Sequence, residues 1–292
     1  MYSFETPDAI SVNIELGSGS LRVIAGERTE TTVEVRPTDP EKKGDIAAAE
    51  ETRVEYANGA LVVKAPKTRR QWSLRGGGDS VDVEISLPEG SRLHGGAGVA
   101  TMRSTGRLGD CHFKLGVGDI LLDETGALEV KTGAGDLAVG HSDGDVEATT
   151  GSGSVRIDAI RGQGVVKDSN GDVSLGEVGG DLRVVSANGS ISIDHPHRTV
   201  AAKTANGDVR IGEAGEGSIV AETALGKVDI GILEGVAAWL DLHTSFGRVH
   251  SELDDAKAPA PGDRSVEVRA RTSFGDITIR RCSRVGTKVE QP

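Results

Sequence analysis

The sequence predicts an all-β fold: a single-stranded, β-helix-like β-solenoid that stacks coils of about 18 residues, two short strands per coil. Three observations carry this. A five-residue unit recurs, glycine then a small or polar residue then apolar–polar–apolar: GDILL (118–122), GDLAV (135–139), GSVRI (153–157), GDVSL (171–175), GSISI (189–193), GDVRI (207–211), GKVDI (226–230), GRVHS (247–251) and GDITI (275–279). Its glycines lie 17, 18, 18, 18, 18, 19, 21 and 28 residues apart. Between units runs a second alternating segment, as in ALEVKT (127–132), DVEATT (145–150), DLRVVS (181–186), TVAAKT (199–204), SIVAET (218–223) and WLDLHT (239–244); alternation is the period of a strand. Composition agrees. Of 292 residues 41 are glycine and only 3% are aromatic, which argues against a helix bundle and against an aromatic-lined substrate pocket. The glycines follow no three-residue period, which excludes collagen.

From the N-terminus, residues 1–97 read as less regular coils of the same kind. SVNIEL (11–16), TTVEV (31–35), ALVVKA (60–65) and SVDVEISL (80–87) all alternate. GSLRV (19–23) reads as an outlying copy of the unit, and GVATM (98–102) as a copy one step of 20 before Gly118. Asn58-Gly59 is a hairpin turn between strands. Excursions interrupt this region at 37–58, where PEKKGDIAAAEET (40–52) suits a short helix, and at 66–79. Residues 98–281 form the regular solenoid and 282–292 a polar tail, in one continuous domain. A surface loop at 251–265 accounts for the last, long step.

A unit this short cannot bury its own apolar face, whereas coils stacked about 4.8 Å apart bury each other's. Val155 and Ile157, Val173 and Leu175, Ile191 and Ile193, and Val209 and Ile211 then form inward columns, with the smaller Ala148, Ala202 and Ala221 opposite. The interior is narrow, with little room for a ligand. The apolar spacing fits a hexapeptide helix poorly, and one Asp per coil fits a calcium-binding roll poorly. Turn clusters before the glycines (TGAG, TGSG, DSNG, SANG, TANG, TALG, TSFG, TSFG) suit positive φ at glycine and at Asn170, Asn188 and Asn206. The residue after each glycine stacks as Asp119, Asp136, Ser154, Asp172, Ser190, Asp208, Lys227, Arg248, Asp276. Interposed serines relieve like-charge repulsion. Asp136, Asp172 and Asp208 therefore read as a structural ladder, and Asn170, Asn188 and Asn206 as an amide ladder.

A formal net charge of −12 excludes a general phosphate-binding role, and no nucleic acid is expected as partner. No basic region followed by an apolar run opens the chain, and no apolar run reaches membrane-spanning length; the expected location is the cytoplasm, without a transmembrane segment. Cys111 and Cys282 fit no metal spacing and, as free thiols, suit a reducing compartment. Of seven histidines only His195 and His197 are local neighbours, and no Cys completes a zinc set. HExxH, GxSxG and the P-loop are absent. No catalytic set, metal or cofactor is expected. Asp123, Asp143, Asp145 and Asp158 are available acids, but tight connections leave little material for a cleft wall. The best contact loop is 66–79, PKTRRQWSLRGGGD, with Arg69, Arg70, Trp72 and Arg75. The basic ending RRCSRVGTKVEQP discourages polymerisation through an exposed terminal coil.

The run TGAGDLAV, TGSGSVRI, SNGDVSL, ANGSISI, ANGDVRI, TSFGDITI resembles the bacterial β-strand-repeat family labelled "putative adhesin", domain of unknown function number 4097. The resemblance covers most of the chain and is strongest from about 98 to 281; the opening FETPDAISVNIELGSGSLRVIAGERTETTVEV looks like that family's first coils. It implies a non-catalytic β-solenoid, often attached to the cell envelope or associated with envelope-stress systems, with no catalytic residues to carry over.

The expected function is a non-catalytic scaffold or interaction protein, adhesin-like or envelope-stress associated. It binds an unidentified protein or cell-envelope component through many weak contacts or through β-augmentation at an exposed terminal coil. It is expected to be a monomer or a weak end-to-end oligomer. Two alternatives stand beside this: a carbohydrate-binding or carbohydrate-active β-helix protein, and a filament built by end-to-end coil stacking.

Overall fold

A computed structural model describes residues 1–66, 79–253 and 264–283. Arg69, Arg70, Trp72 and Arg75 lie outside the described residues, as do most of the 251–265 loop and the last nine residues. The chain forms two compact units, Met1–Ile160 and Arg161–Pro292. Each is a β-solenoid in which every regular coil contributes one strand to each of two parallel sheets.

In the N-terminal unit one sheet stacks Cys111–Val117, Leu128–Ala134 and Val146–Ser152, and the other stacks Ile120–Thr125, Leu137–Ser142 and Val155–Ile160. Two longer strands, Ser11–Gly26 and Arg92–Thr105, pair in parallel along nearly their whole length and serve both sheets. Ahead of them the pattern changes. Ala60–Lys64 and Val81–Pro88 still run parallel to Ser11–Gly26. The outermost strands are antiparallel: Arg53–Ala57 against Ala60–Lys64, and Tyr2–Glu5 against Glu30–Pro37, which itself runs antiparallel to Val81–Pro88. Asn58 (φ 51°) and Gly59 (φ 76°) make the hairpin turn. The excursion at 40–52 holds a helix, Lys43–Glu51.

In the C-terminal unit the first sheet stacks Gly164–Asn170, Leu182–Asn188, Val200–Asn206 and Gly217–Leu225; the second stacks Val173–Val178, Ile191–Pro196, Val209–Ala214 and Val228–Leu233. Alternation puts Val173, Leu175, Ile191, Ile193, Val209 and Ile211 inside, with Ala202 and Ala221 facing them, all buried. Each fully buried Val, Leu or Ile contributes about 1.5–3 kcal/mol relative to exposure. At the end of three strands of this stack a Thr hydroxyl donates back to a turn carbonyl: Thr204 to Gly189 (3.0 Å), Thr223 to Gly207 (2.9 Å) and Thr272 to Gly226 (3.0 Å). Glycine is required where coils turn closely: a Cβ on Gly275 (φ 150°) lies 1.9 Å from the Gly226 carbonyl oxygen.

The structure corrects three expectations. Ala100, not Gly98, occupies the turn position before Gly118, because Met102 pairs with Ile120; that step is therefore 18 residues, like its neighbours. Asn170, Asn188 and Asn206 do not take positive φ; among the described non-glycine residues only Asn58 does. They end extended strands, and their amides bond along the stack.

The third correction concerns coil order. Ser265–Phe274 pairs with Gly217–Leu225 on one side and Ala237–Phe246 on the other, and Ile277–Cys282 likewise separates Val228–Leu233 from Val249–Ser251. The last coil in sequence is thus inserted before the one that precedes it. Packing explains this. The inward column reads Ala202, Ala221, Ala270, Leu242; a Leu beside Ala221 overfills a narrow interior, whereas Ala270 fits. In the facing sheet Ile279 continues the bulky column, where Ser251 leaves a hydroxyl to bury. Charge agrees as well. The turn column runs Asp208, Lys227, Asp276, Arg248, with signs alternating.

Candidate binding surface at the last coil

The ladders hold one coil to the next. Asn188 Nδ2 donates to Asn170 Oδ1 at 2.9 Å, and Asn206 Nδ2 to Asn188 Oδ1 at 2.8 Å. Asp136 Oδ1 accepts from the Ser154 backbone N–H (2.7 Å) and hydroxyl (2.9 Å), and these bonds hold its carboxyl below the usual range. Asp172 Oδ1 accepts from the Ser190 N–H at 2.7 Å, and Asp208 Oδ1 from the Lys227 N–H at 2.7 Å. These carboxylates each spend a lone pair on the next coil's backbone, so the stack bonds the turns together. Among the described residues no cluster of three His, Cys, Asp or Glu side chains is arranged for a metal.

The other candidate groups are similarly engaged. His197 meets Glu177 at 3.0 Å, and His195 meets Glu213 at 3.4 Å. Burial pushes the Cys111 thiol up to about 12, leaving no thiolate at neutral pH. Asp123 and Asp158 share the rim of a shallow groove of about 420 Å³ with Leu121 and Arg156. Asp123 accepts the Gly106 N–H, and Asp158 pairs with Arg156 at 3.0 Å.

The last coil, Ala237–Phe246 and Val249–Ser251, differs from all these. Its inward row, Ala238, Leu240, Leu242 and Thr244, is only half-buried, whereas Val266, Val268, Ala270 and Thr272 beneath it are buried. Among the described residues nothing pairs with the outer edge of either strand. Ala237 donates its N–H inward, to Arg264; by alternation the N–H and C=O groups of Ala238, Leu240 and Leu242 point outward. Beside this edge Trp239 is 75% exposed and Phe246 68% exposed. Phe246 stacks on Phe274, ring centroids 4.9 Å apart and planes 8° from parallel. Asp241 bonds to Arg269 (3.1 Å) and Arg271 (3.3 Å) of the coil beneath.

The sequence profile of the family described as Toastrack DUF4097 matches residues 8–280. The chain belongs to the Toastrack DUF4097 family. Solved structures similar to this Toastrack chain include a "putative adhesin" from Bacteroides fragilis NCTC 9343, at 13% identity and TM-score 0.38, covering 96% of this chain and 95% of that one. A "putative cell adhesion protein" from Clostridium sporogenes ATCC 15579 has 12% identity and TM-score 0.24 over 96% and 98% of the two chains. A "putative adhesin" from Parabacteroides merdae ATCC 43184 has 12% identity and TM-score 0.32 over 96% and 95%. No curated protein matches.

Sequence reasoning passed over the aromatic end of this Toastrack chain. The column that reads Asn170, Asn188, Asn206 continues as Leu225, Phe274, Phe246. The signal was present in the turn clusters, where TALG and two copies of TSFG replace SNG and ANG. A side chain that belongs in water gives way there to Leu and Phe, which stay more than half exposed. Exposed apolar groups gathered beside an open sheet edge are the chemistry of strand addition.

Proposed function

We propose that this Toastrack chain is a non-catalytic interaction scaffold that binds a protein partner by strand addition at its last coil. The observation that carries the reading is the half-exposed inward row Ala238, Leu240 and Leu242, whose counterparts in the coil beneath are buried. An added strand completes the ladder with main-chain hydrogen bonds and covers that row, while Trp239 and Phe246 supply the large apolar area typical of binding centres. The free thiols of Cys111 and Cys282 support a reducing compartment for this work.

The test is site-specific photo-crosslinking in the source organism, with a photoreactive residue at position 239 and, as comparison, at position 56 in the N-terminal edge strand. Defined adducts from 239 and few from 56 are expected. Equal adduct patterns from both positions would remove the last coil as the binding surface.

A further inference from the structure

We infer that the occupant of the last coil is the last coil of a second copy, paired tail to tail about a two-fold axis; this rests on the strand-addition reading above. A partner must bring two strand edges at the separation of the two sheets, with an inward apolar row to meet Leu240 and Leu242. A second copy offers both. A two-fold axis perpendicular to the sheets sets each edge strand antiparallel to itself, so the row meets its own copy.

The register follows from alternation and charge. The groups of Ala238, Leu240, Leu242 and Thr244 point outward, so these residues form the hydrogen-bonded pairs of an antiparallel ladder. Centring the pair on Asp241 sets two carboxylates opposite each other, a repulsive arrangement. Centring it on Leu242 sets Leu242 against its copy, Leu240 against Thr244, and Asp241 against His243. In the last pairing an imidazole N–H can donate to a carboxylate.

The other end of the chain offers no comparable seat. Its edge strands, Tyr2–Glu5 and Arg53–Ala57, have four and five residues, and their outward row carries charge, Arg53 paired with Glu55. Phe4 and Tyr56 lie across from one another, centroids 5.4 Å apart, and close over the interior between the two edges. Short, charged edge strands block strand addition. Among the described residues only the last coil offers a long apolar end, so assembly closes at two copies and no filament grows. A ten-residue edge is about 33 Å long and the two sheets are about 10 Å apart. The contact is therefore small, and a micromolar dimer is expected.

Sedimentation velocity on the full chain across about 1–200 µM tests this, a range that brackets a micromolar dissociation constant. A reversible monomer–dimer equilibrium is expected. Leu240→Lys should raise the dissociation constant at least about tenfold by placing an ammonium in the seam, and Glu55→Ala should leave it unchanged. Amide exchange supplies the second readout: protection at 237–246 rises with concentration while that at 53–57 does not. A strict monomer at the highest concentration overturns the inference, as do masses above the dimer or a dimer indifferent to Leu240→Lys. In the crosslinking experiment, adducts from 239 to a different protein without self-adducts overturn self-pairing and leave strand addition standing.

Discussion

The N-terminal unit begins on antiparallel strands of four and five residues, with Phe4 and Tyr56 turned inward against each other. The C-terminal unit ends on a parallel strand of ten residues whose aromatic side chains, Trp239 and Phe246, turn out to water. Both solenoids face the same difficulty: a stack of coils has a last edge, with unpaired backbone and half a core. The first region keeps its edge strands short and charged, with Phe4 and Tyr56 half-buried against each other. The second leaves the edge long, apolar and open. The same fold thus carries one end of short, charged edge strands and one end that is long and apolar.

The largest effect that sharpens this contrast comes from two glycines. Gly275 turns the coil beneath the open edge, and a Cβ there lies 1.9 Å from the Gly226 carbonyl oxygen. Gly275→Ala must move backbone against backbone, and a loss of about 4 kcal/mol or more is expected. Gly59, in the N-terminal hairpin, has nothing within 4 Å of such a Cβ, so Gly59→Ala meets only the left-handed φ of 76°. Its cost is about 1–2 kcal/mol. Urea midpoints compare the two; equal losses would mean that close coil stacking does not limit the turn at Gly275.

The next effect reads burial down one column. Val268 is buried and Leu240, directly above it, is half-exposed. Val268→Ala is expected to cost about 2–3 kcal/mol, the usual loss when buried methyl groups are removed. Leu240→Ala, measured at dilution, should cost about 1 kcal/mol or less although it removes more carbon, because water already reaches the site. Ala270→Leu should cost about 1–3 kcal/mol by overfilling the interior that places the last two coils in their observed order. If Ala270→Leu is neutral, packing does not set that order.

These positions also show what was legible beforehand. The two strands per coil follow from the alternation of Val173, Leu175, Ile191 and Ile193, since a period-two pattern has one way to bury its face. The Asn58-Gly59 hairpin follows from local turn chemistry. The exchange of coil order was not read, because it depends on a comparison between distant residues: whether Leu242 or Ala270 fits beside Ala221, and whether Ser251 or Ile279 continues the bulky column. The open apolar end was hidden for a related reason. Leu240 and Leu242 alternate like the buried residues of earlier coils; only the end of the stack leaves them half-exposed. The loop chosen instead, with Arg69, Arg70, Trp72 and Arg75, lies outside the described residues.

The smallest effect sets two buried carboxyl groups, one from each region, against pH. Asp45, under the N-terminal excursion, loses solvation on burial, but Lys42 at 2.7 Å and the N–H groups of Ser80 and Asp39 more than offset this and hold its pKa below the ordinary 3.8. Asp168 takes a place in the C-terminal unit that Ser186, Thr204 and Thr223 occupy in later coils. Desolvation raises its pKa; Ser186 and two backbone N–H groups compensate only partly. The signs are opposite. A folded pKa above the unfolded one makes ionised Asp168 oppose folding at neutral pH, and that penalty fades as pH falls through the raised value. A folded pKa below the unfolded one makes Asp45 stabilise fully above 3.8, a contribution lost only as pH falls through its lowered value. Asp168→Thr should therefore gain about 1 kcal/mol near pH 7 by removing a poorly partnered buried charge, with the gain shrinking on acidification. Asp45→Asn should lose about 1–2 kcal/mol at pH 7 and nothing once both forms are protonated. Urea midpoints against pH check this, and a gain from Asp168→Thr that grows on acidification would reverse the assignment.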